Sequence, residues 1–131
     1  MNERIPELLE QSTRIAVVGL SDKPYRESYH IAEVLLRHGY TLLPVNPALE
    51  SWNGIPAWPD LQSVPRPIDI VNVFRRSEHV AEITEDAIAV GAGALWTQLG
   101  IVDEGAARRA EAAGLKVVMD RCIAIELSRR R

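Results

Sequence analysis

Five short runs of residues are almost continuously apolar, and this pattern limits the fold more than any other feature of the sequence. They cover residues 15–20, 41–45, 68–74, 94–99 and 116–119. A strand with one face in water alternates apolar and polar residues, whereas a strand covered on both faces is apolar throughout. Helical segments lie between the runs, so the chain predicts an α/β protein. The expected architecture is a three-layer, doubly wound sheet of about five mainly parallel strands with helices on both faces.

Glycines mark the points where the helices between these runs should end. Gly39, Gly91 and Gly114 each stand between a helical pattern and an apolar run. Glycine readily adopts the left-handed conformation just beyond a helix end, because it has no Cβ to clash there. The helices themselves are indicated by stripes of apolar or small residues, which are Ile31, Val34 and Leu35, then Val80, Ile83, Ala87 and Val90, and finally Ala106, Ala107, Ala110 and Ala113.

Residues 46–67 form the longest stretch without a clear strand or helix pattern. Proline is frequent in it, and only residues 60–63 favour a short helical turn. Trp52 and Trp58 lie in this stretch. They either cover the core or form the contact of a homodimer, and the sequence leaves both possibilities open.

Size, charge and cysteine content favour a single cytoplasmic domain without a membrane or nucleic-acid partner. The 131 residues suffice to bury one core, so residues 1–131 are interpreted as one domain. The net charge of −3 gives no basic field for nucleic acid, and the arginines at 129–131 are interpreted as a solvated tail. No apolar run approaches the roughly 18 residues that a membrane helix needs. Cys122 is the single cysteine, which excludes an internal disulfide and fits a reducing cytoplasm.

The first apolar run ends in a loop that suits phosphate groups. Ligands of open parallel sheets bind beyond the carboxyl ends of the strands, where the strand order reverses. Gly19 lets backbone N–H groups approach an anion, Ser21 adds a hydroxyl, and Ser28 is the expected N-cap of the next helix. Lys23 and Arg26 add positive charge. The alternative is an ordinary strand-to-helix turn whose charged side chains are solvated.

Asn46 and Pro47, at the end of the second run, separate two classes of nucleotide cofactor. A site for NAD normally has Asp or Glu here to bind the ribose hydroxyl groups, but the first acid after this run is Glu50. Of the dinucleotide pattern G-x-G-x-x-G, only Gly19 is present. A carboxylate would repel a ribose that carries a 3′-phosphate, as in coenzyme A, whereas Asn46 and Pro47 would not. Pro47 could equally serve only to end the strand.

Two arginines follow the third run. Arg75 and Arg76 come directly after Phe74, where the strand meets a predicted helix N-terminus. Guanidinium groups at such a position can add charge-assisted hydrogen bonds to a phosphate. Both arginines could equally pair with Glu78 or Glu82 on the surface.

The fourth run carries Trp96, Thr97 and Gln98 near its end. Trp96 could pack against the apolar arm of a ligand, although a tryptophan in such a run is more often part of the core or its rim. The strand ends carry more weight together than any one of them does alone.

Taken in order, the strand ends closely resemble the small CoA-binding domain proteins, which are relatives of the CoA-binding domain of the succinyl-CoA synthetase alpha subunit. The resemblance covers roughly residues 5–127. The matching segments are residues 16–21 (AVVGLS), 28–29 (SY), 39–40 (GY), 44–47 (PVNP), 73–78 (VFRRSE), 96–101 (WTQLGI) and 118–122 (VMDRC). The resemblance implies a Rossmann-like fold that holds coenzyme A along the carboxyl edge of the sheet.

Three groups of contacts with coenzyme A are implied by this resemblance. The first loop would meet the phosphates through Gly19, Leu20, Ser21 and Asp22. The turn after the second run would flank the adenosine part. The ends of the third and fourth runs would line the remainder of the pocket. Arg26 is added to this set from its charge and its position.

Departures from the synthetase argue against catalysis. The synthetase segment that corresponds to residues 96–98 carries a glutamate where this chain has Gln98. The synthetase also relies on a phosphorylated histidine in a second domain, for which 131 residues leave no room. Cys122 beside Asp120 and Arg121 is interpreted as buried and inert, since no histidine lies near it in the sequence. Metal-ligand spacing and a G-x-S-x-G motif are absent, so no catalytic or metal-binding residue is assigned.

The leading hypothesis is non-catalytic binding of coenzyme A or an acyl-CoA. The protein would then be a carrier, a sensor or a component that hands the ligand to a protein partner. The first alternative is an NAD(P)-binding protein or small oxidoreductase, in which Arg26 could bind a 2′-phosphate. The second alternative is a small enzyme that acts on CoA thioesters through Cys122 or Asp120.

Overall fold

The computed structural model describes residues 1–129, and Arg130 and Arg131 of the predicted solvated tail lie outside the described residues. The strands are β1 (Arg14–Val18), β2 (Thr41–Val45), β3 (Ser51–Trp52), β4 (Ile55–Pro56), β5 (Ile70–Val73), β6 (Ala94–Thr97) and β7 (Lys116–Val118). The helices are α1 (Ile5–Gln11), α2 (Glu27–Arg37), α3 (Val80–Ala89), α4 (Glu104–Ala112) and α5 (Ile123–Ser128). A 3₁₀ turn (Ser77–His79) leads directly into α3.

The five main strands are parallel and lie in the order β2-β1-β5-β6-β7. Ile15 of β1 pairs with Leu42 of β2 on one side and with Ile70 of β5 on the other. The chain thus goes outward from β1 to β2, returns past β1 to β5, and continues in the opposite direction to β7. This reversal opens a crevice at the carboxyl ends of β1 and β5. The predicted doubly wound parallel sheet is confirmed.

Alternate residues of β1 enter two separate cores, which explains its continuous apolar sequence. Ala16 and Val18 pack on the side of the sheet covered by α3 and α4. Ile15 and Val17 pack on the side covered by α1, α2 and α5. All four side chains are buried. Helices therefore cover both faces of the sheet, as predicted.

β2 ends where its apolar run predicts, whereas the other main strands end earlier. β1 ends at Val18 instead of residue 20, and β6 ends at Thr97 instead of residue 99. The φ of Gly19 is 85°, which leaves the extended region and ends β1. Leu20 is nevertheless fully buried. The apolar pattern thus continues past the hydrogen-bonded strand because the loop also contributes to the core.

The three helices that a glycine follows end in the same hydrogen-bond pattern. After α2, Gly39 has a φ of 88° and its N–H donates to the carbonyl oxygen of Leu36 at 3.0 Å. A Cβ would strain this left-handed conformation. Equivalent backbone bonds follow α3 at Gly91 and α4 at Gly114. The predicted helix ends are confirmed.

Residues 46–67, which the sequence pattern leaves without a clear strand or helix, contain a hairpin. β3 and β4 are antiparallel and are joined by Asn53 and Gly54. The φ values of these two residues, 48° and 79°, are those of a type I′ turn, for which Asn-Gly is the preferred pair. Residues 60–63 form a hydrogen-bonded turn around Asp60 instead of the predicted helical turn.

Both outer strands of the sheet carry additional hydrogen bonds. Beside β7, the Asn2 N–H donates to the Val117 carbonyl oxygen at 2.8 Å, and the Asn2 side chain exchanges two hydrogen bonds with the backbone of Met119. Beside β2, the Trp58 N–H donates to the Pro44 carbonyl oxygen at 3.0 Å. Both edges therefore have backbone partners at these positions.

Candidate functional site

Two clefts open at the carboxyl edge of the sheet, where the strand order reverses. The α2 cleft lies between the loop of residues 19–28 and the segment that follows β2, and its volume is ≈ 490 Å³. The α3 cleft lies between the ends of β2 and β5 and the helix α3, and its volume is ≈ 420 Å³. Gly19 and Asn46 line both clefts. The two clefts therefore adjoin at these two residues.

Gly19 is packed so closely that no side chain fits at this position. A Cβ built on it would lie 2.7 Å from the Phe74 carbonyl oxygen and 2.9 Å from Cδ of Arg75. Its N–H donates to the Val45 carbonyl oxygen at 2.9 Å. The glycine thus joins the ends of three neighbouring strands, and its own N–H is already occupied. Gly19 therefore contributes to a ligand site only by allowing the backbone to turn closely past Phe74 into the loop.

Side chains from three separate parts of the chain hold the loop that follows Gly19. Asn46 donates from Nδ2 to the Leu20 carbonyl oxygen at 2.9 Å, and Trp52 donates from Nε1 to the Ser21 carbonyl oxygen at 3.0 Å. The Ser21 N–H donates to Oγ of Ser28 at 3.0 Å. Within residues 1–129, the backbone N–H groups of Leu20 and Asp22 have no acceptor. The loop is therefore fixed and retains unpaired backbone donors.

Ser28 does not cap α2 as predicted. The helix begins at Glu27, the N-cap position is Arg26, and its side chain makes no capping hydrogen bond. Ser28 is the second helical residue and is buried. Its hydroxyl instead receives the Ser21 N–H, so it connects the loop to the helix. The capping prediction is wrong because the loop, and not the helix terminus, uses this oxygen.

The α2 cleft carries both signs of charge. Lys23 and Arg26 line it as exposed cations, and Asp22 and Glu27 line it as exposed carboxylates. Nζ of Lys23 lies 3.8 Å from the Asp22 carboxylate. Arg26 lies over the ring of Tyr25, with its Cζ 5.9 Å from the ring centroid, and that ring is 80% exposed. Basic side chains, an aromatic ring and the N-terminus of α2 thus face one opening.

The structure separates the two arginines that follow β5. Arg75 lines the α3 cleft together with Glu82 and forms no ion pair with a described residue. Arg76 is exposed outside both clefts, where its Nη1 lies 3.8 Å from the Glu78 carboxylate. The sequence left ligand contact and surface pairing open for both residues. Their positions favour ligand contact for Arg75 and surface pairing for Arg76.

Asn46 and Pro47 both line the α3 cleft at the end of β2. Besides holding Leu20, Asn46 accepts the Ala48 N–H on Oδ1 at 2.8 Å, so its amide is engaged on both sides. Asp60 lies across the same cleft. The hydroxyl and N–H of Ser63 donate to its carboxylate and lower the pKa of Asp60 below its usual range. That side of the cleft therefore carries a negative charge at neutral pH.

The side chains of Trp96 and Thr97 lie in the core, which contradicts the prediction that they line the pocket. Trp96 is fully buried, and its Nε1 donates to the Arg121 carbonyl oxygen at 2.8 Å. Thr97 is also fully buried, and its hydroxyl donates to the Ile101 carbonyl oxygen at 2.6 Å. β6 is an interior strand of the sheet, and the indole of Trp96 packs in the core on the side of α1, α2 and α5.

Gln98 is also turned into the protein. Its Nε2 donates to Oδ1 of Asn72 at 2.6 Å, and its Oε1 accepts the Ile123 N–H at 3.3 Å. Gln98 is 5% exposed, and Nδ2 of Asn72 is buried without a partner within the described chain. The prediction that Gln98 lines the pocket is therefore not met. Its amide connects β5, β6 and α5.

Cys122 and Asp120, the candidate residues of the CoA-thioester alternative, both have structural positions in the fold. Cys122 is buried at the start of α5. Asp120 has a φ of 59° and accepts the Gly100 N–H on Oδ1 at 2.7 Å.

Within the described part of the chain, no group of three or more His, Cys, Asp or Glu side chains could hold a metal ion. None of the helices in residues 1–129 has the length and apolar character needed to span a membrane.

Trp52 takes one of the two positions that the sequence left open for it, the core and not a homodimer contact. It is 1% exposed, so it covers the core and offers no surface for a homodimer contact. Trp58 is half-buried and packs against the opposite core. The Asn53-Gly54 pair is the signal that predicts the hairpin and, with it, the inward position of Trp52.

Comparisons with known proteins agree on one family. Residues 13–128 match the family model described as the CoA binding domain. The protein YneT of Bacillus subtilis (strain 168) is 42% identical over 121 residues, which are 92% of this chain and 90% of that protein. A solved structure from Pyrococcus horikoshii OT3 is 36% identical, has a TM-score of 0.93, and covers 98% of this chain and 91% of its own.

A larger enzyme contains the same fold. The dinucleotide forming acetyl-coenzyme A synthetase 1 of Ca. Korarchaeum cryptofilum is 25% identical and aligns with a TM-score of 0.73. The alignment covers 85% of this chain but only 26% of the synthetase chain. The similarity therefore concerns one part of that enzyme.

Proposed function

This chain belongs to the CoA-binding domain family, and we propose that it binds coenzyme A or an acyl-CoA in the α2 and α3 clefts without catalysing a reaction. The observation that carries the proposal is the meeting of the two clefts at Gly19 and Asn46, at the reversal of strand order. A nucleotide with a long arm needs such a continuous surface. Parallel sheets bind nucleotides at this position.

The diphosphate fits the α2 cleft. The unpaired N–H of Asp22, the N-terminus of α2 and the exposed side chains of Lys23 and Arg26 can all interact with phosphate oxygens. The carboxylates of Asp22 and Glu27 are exposed, so they can turn into water when an anion binds. The α2 cleft therefore offers backbone and side-chain donors on one side of the ligand.

The adenosine part fits the α3 cleft along the turn of Asn46 and Pro47. No carboxylate stands at the end of β2 to repel a 3′-phosphate, and Arg75 supplies a guanidinium without an acidic partner in the described chain. The carboxylates of Asp60, Glu82 and Asp86 also line this cleft. Only uncharged parts of the adenosine group should contact these carboxylates.

The role that fits best is a carrier, a sensor or a component that hands the ligand to a protein partner. Trp96, Thr97 and Gln98 bind their neighbours in the fold, and Cys122 is buried. The similarity to part of an acetyl-coenzyme A synthetase supports a module that works beside other domains or proteins. A cytoplasmic location and an interaction with a protein partner belong to the same proposal.

Native mass spectrometry of freshly purified protein, followed by calorimetric titration, tests this function. Coenzyme A and acetyl-CoA should bind more tightly than NAD and NADP. Arg26→Ala and Arg75→Ala should each raise the Kd for coenzyme A by about 10- to 100-fold, because each removes a charged hydrogen-bond donor worth about 1.5–3 kcal/mol.

Arg76→Ala is the matched control, since Arg76 is exposed outside both clefts and pairs with Glu78. Its Kd should stay within about twofold of the wild-type value, a difference of less than 1.4 kcal/mol. Tighter binding of NAD or NADP than of coenzyme A would contradict the proposal. Equal losses in all three arginine variants would contradict the assigned clefts.

A further inference from the structure

We propose that the β3–β4 hairpin is a brace that holds the loop of residues 19–23 in its phosphate-binding shape, with Trp52 as the positioning residue. This inference rests on the proposed function. It assigns part of the affinity for a diphosphate ligand to a side chain that lies outside the strand ends and is only 1% exposed.

The contact that carries the inference is a hydrogen bond from the hairpin to the loop. Nε1 of Trp52 donates to the Ser21 carbonyl oxygen at 3.0 Å. A buried indole N–H needs an acceptor, and the Ser21 carbonyl provides one. Because Trp52 lines neither cleft, it must act on a ligand through the loop.

The hairpin is itself fixed to α2. The Tyr29 hydroxyl donates to Oδ1 of Asn53 at 3.0 Å, and the rings of Tyr29 and Trp52 lie 4.9 Å apart between centroids. The indole therefore has a rigid position relative to the helix whose N-terminus faces the α2 cleft.

The geometry of the peptide bond connects this contact to the ligand site. The Ser21 carbonyl and the Asp22 N–H belong to one planar trans peptide, so they point in opposite directions. Trp52 holds the carbonyl on the side of the hairpin, and it thereby fixes the Asp22 N–H on the opposite side. Asp22 lines the α2 cleft, and its N–H has no acceptor in residues 1–129. The indole thus sets the direction of an unpaired donor at the proposed phosphate site.

Trp52→Phe removes the indole donor and keeps an aromatic ring, so this peptide becomes free to rotate. A donor that no longer points at the phosphate makes no hydrogen bond to it in the complex, and this loss lowers the affinity. We expect the Kd for coenzyme A to rise about tenfold, equivalent to about 1.4 kcal/mol. Trp58→Phe is the control, because it is the same substitution in the neighbouring segment and the Trp58 side chain packs on the opposite core.

Two readouts separate positioning from general loss of stability. Calorimetry gives the Kd of each variant, and hydrogen exchange followed by NMR gives the protection of the Asp22 amide with and without coenzyme A. In the wild type, coenzyme A should slow exchange of this amide. In Trp52→Phe, coenzyme A bound to the same fraction of the protein should no longer slow exchange of the Asp22 amide. In Trp58→Phe, coenzyme A should still slow it, even if that variant has an unfolding midpoint as low as that of Trp52→Phe.

The outcomes distinguish this inference from the proposed function. A wild-type protein that does not bind coenzyme A overturns the proposed function and, with it, this inference. Binding by the wild type with an unchanged Kd in Trp52→Phe overturns the brace alone. If Trp52→Phe does not fold, Tyr29→Phe, which removes the hydrogen bond to Asn53, should raise the Kd about threefold, less than 1.4 kcal/mol. An unchanged Kd in that variant also overturns the brace.

Discussion

Gly19 is the residue on which the arrangement of the two clefts depends. It lies at the end of β1, its N–H donates to the end of β2, and the end of β5 packs against its Cα. Its positive φ and the close approach of Phe74 are separate constraints. A side chain at this position would be strained by the positive φ and would clash with Phe74. Relief of either the strain or the clash would move the loop that lines the clefts.

Substitution of Gly19 by alanine should destabilise the protein by about 3 kcal/mol or more, since backbone strain and overpacking each cost about 1–3 kcal/mol. Gly100→Ala is the matched control. Gly100 has a similar φ of 80°, but a Cβ there would meet nothing within 4 Å. The control should therefore lose only the strain component, about 1–2 kcal/mol. Urea denaturation measures both values, and equal losses would show that the contact with Phe74 does not limit this position.

Residue identity predicted some of the residues that line the clefts and not others. Gly19, Asn46 and Arg75 line clefts because a strand end in a parallel sheet must lie at the carboxyl edge. Trp96 and Gln98 lie at such an end as well, but they face inward. A strand covered on both faces is apolar throughout, so its pattern does not indicate which side chains turn towards the pocket. Their inward orientation depends on the segment before α5, since Trp96 donates to the Arg121 carbonyl oxygen and Gln98 accepts the Ile123 N–H.

Among the elements, the helix ends were the most predictable, because their signal is local. The pattern of an apolar stripe followed by glycine describes α2, α3 and α4. The β3–β4 hairpin has an equally local signal in Asn53 and Gly54, but the surrounding prolines favour an irregular interpretation. The hydrogen bond from Trp52 of this hairpin to Ser21 has no local signal, since the two residues are 31 positions apart in the sequence.

Two glycine-to-alanine changes should shift the stability of the helices in opposite directions. Gly39→Ala should destabilise the protein by about 1 kcal/mol or more, because the residue after α2 has a φ of 88°. Gly105→Ala, within α4, should stabilise it by up to about 1 kcal/mol, since alanine is the better helix former. The nearest atom to a Cβ at Gly105 would lie at an ordinary contact distance of 3.5 Å. Thermal and urea unfolding measure both changes, and a destabilised Gly105→Ala would contradict this account of α4.

For the whole molecule, the order β2-β1-β5-β6-β7 determines where a ligand can bind. The continuous apolar runs predict parallel strands, and right-handed crossovers limit how they can be arranged. The crevice at β1 and β5 follows from that order. The presence of two clefts that share Gly19 and Asn46 does not follow from the sequence, because no local pattern predicts how the segments after β1 and β2 divide the crevice.

Coenzyme A at one hundred times its Kd should raise the unfolding temperature by roughly 10 °C. Such saturation stabilises the folded state by about 2.7 kcal/mol, and each kcal/mol shifts the midpoint of a domain of this size by about 3–5 °C. Differential scanning fluorimetry measures the shift, and NAD at the same concentration is the control. An equal shift with NAD, or none with coenzyme A at saturation, would contradict selective binding.

The hydrogen bonds on the two outer strands affect how copies of this protein can associate. An open strand edge can pair with another chain and extend one sheet into the next, which leads to aggregation. Here Trp58 occupies part of the β2 edge, and Asn2 occupies part of the β7 edge. Edge-to-edge polymerisation would first have to displace these bonds. A homodimer of this chain should therefore form through its helices or loops, and the sheet should remain closed to growth at either side.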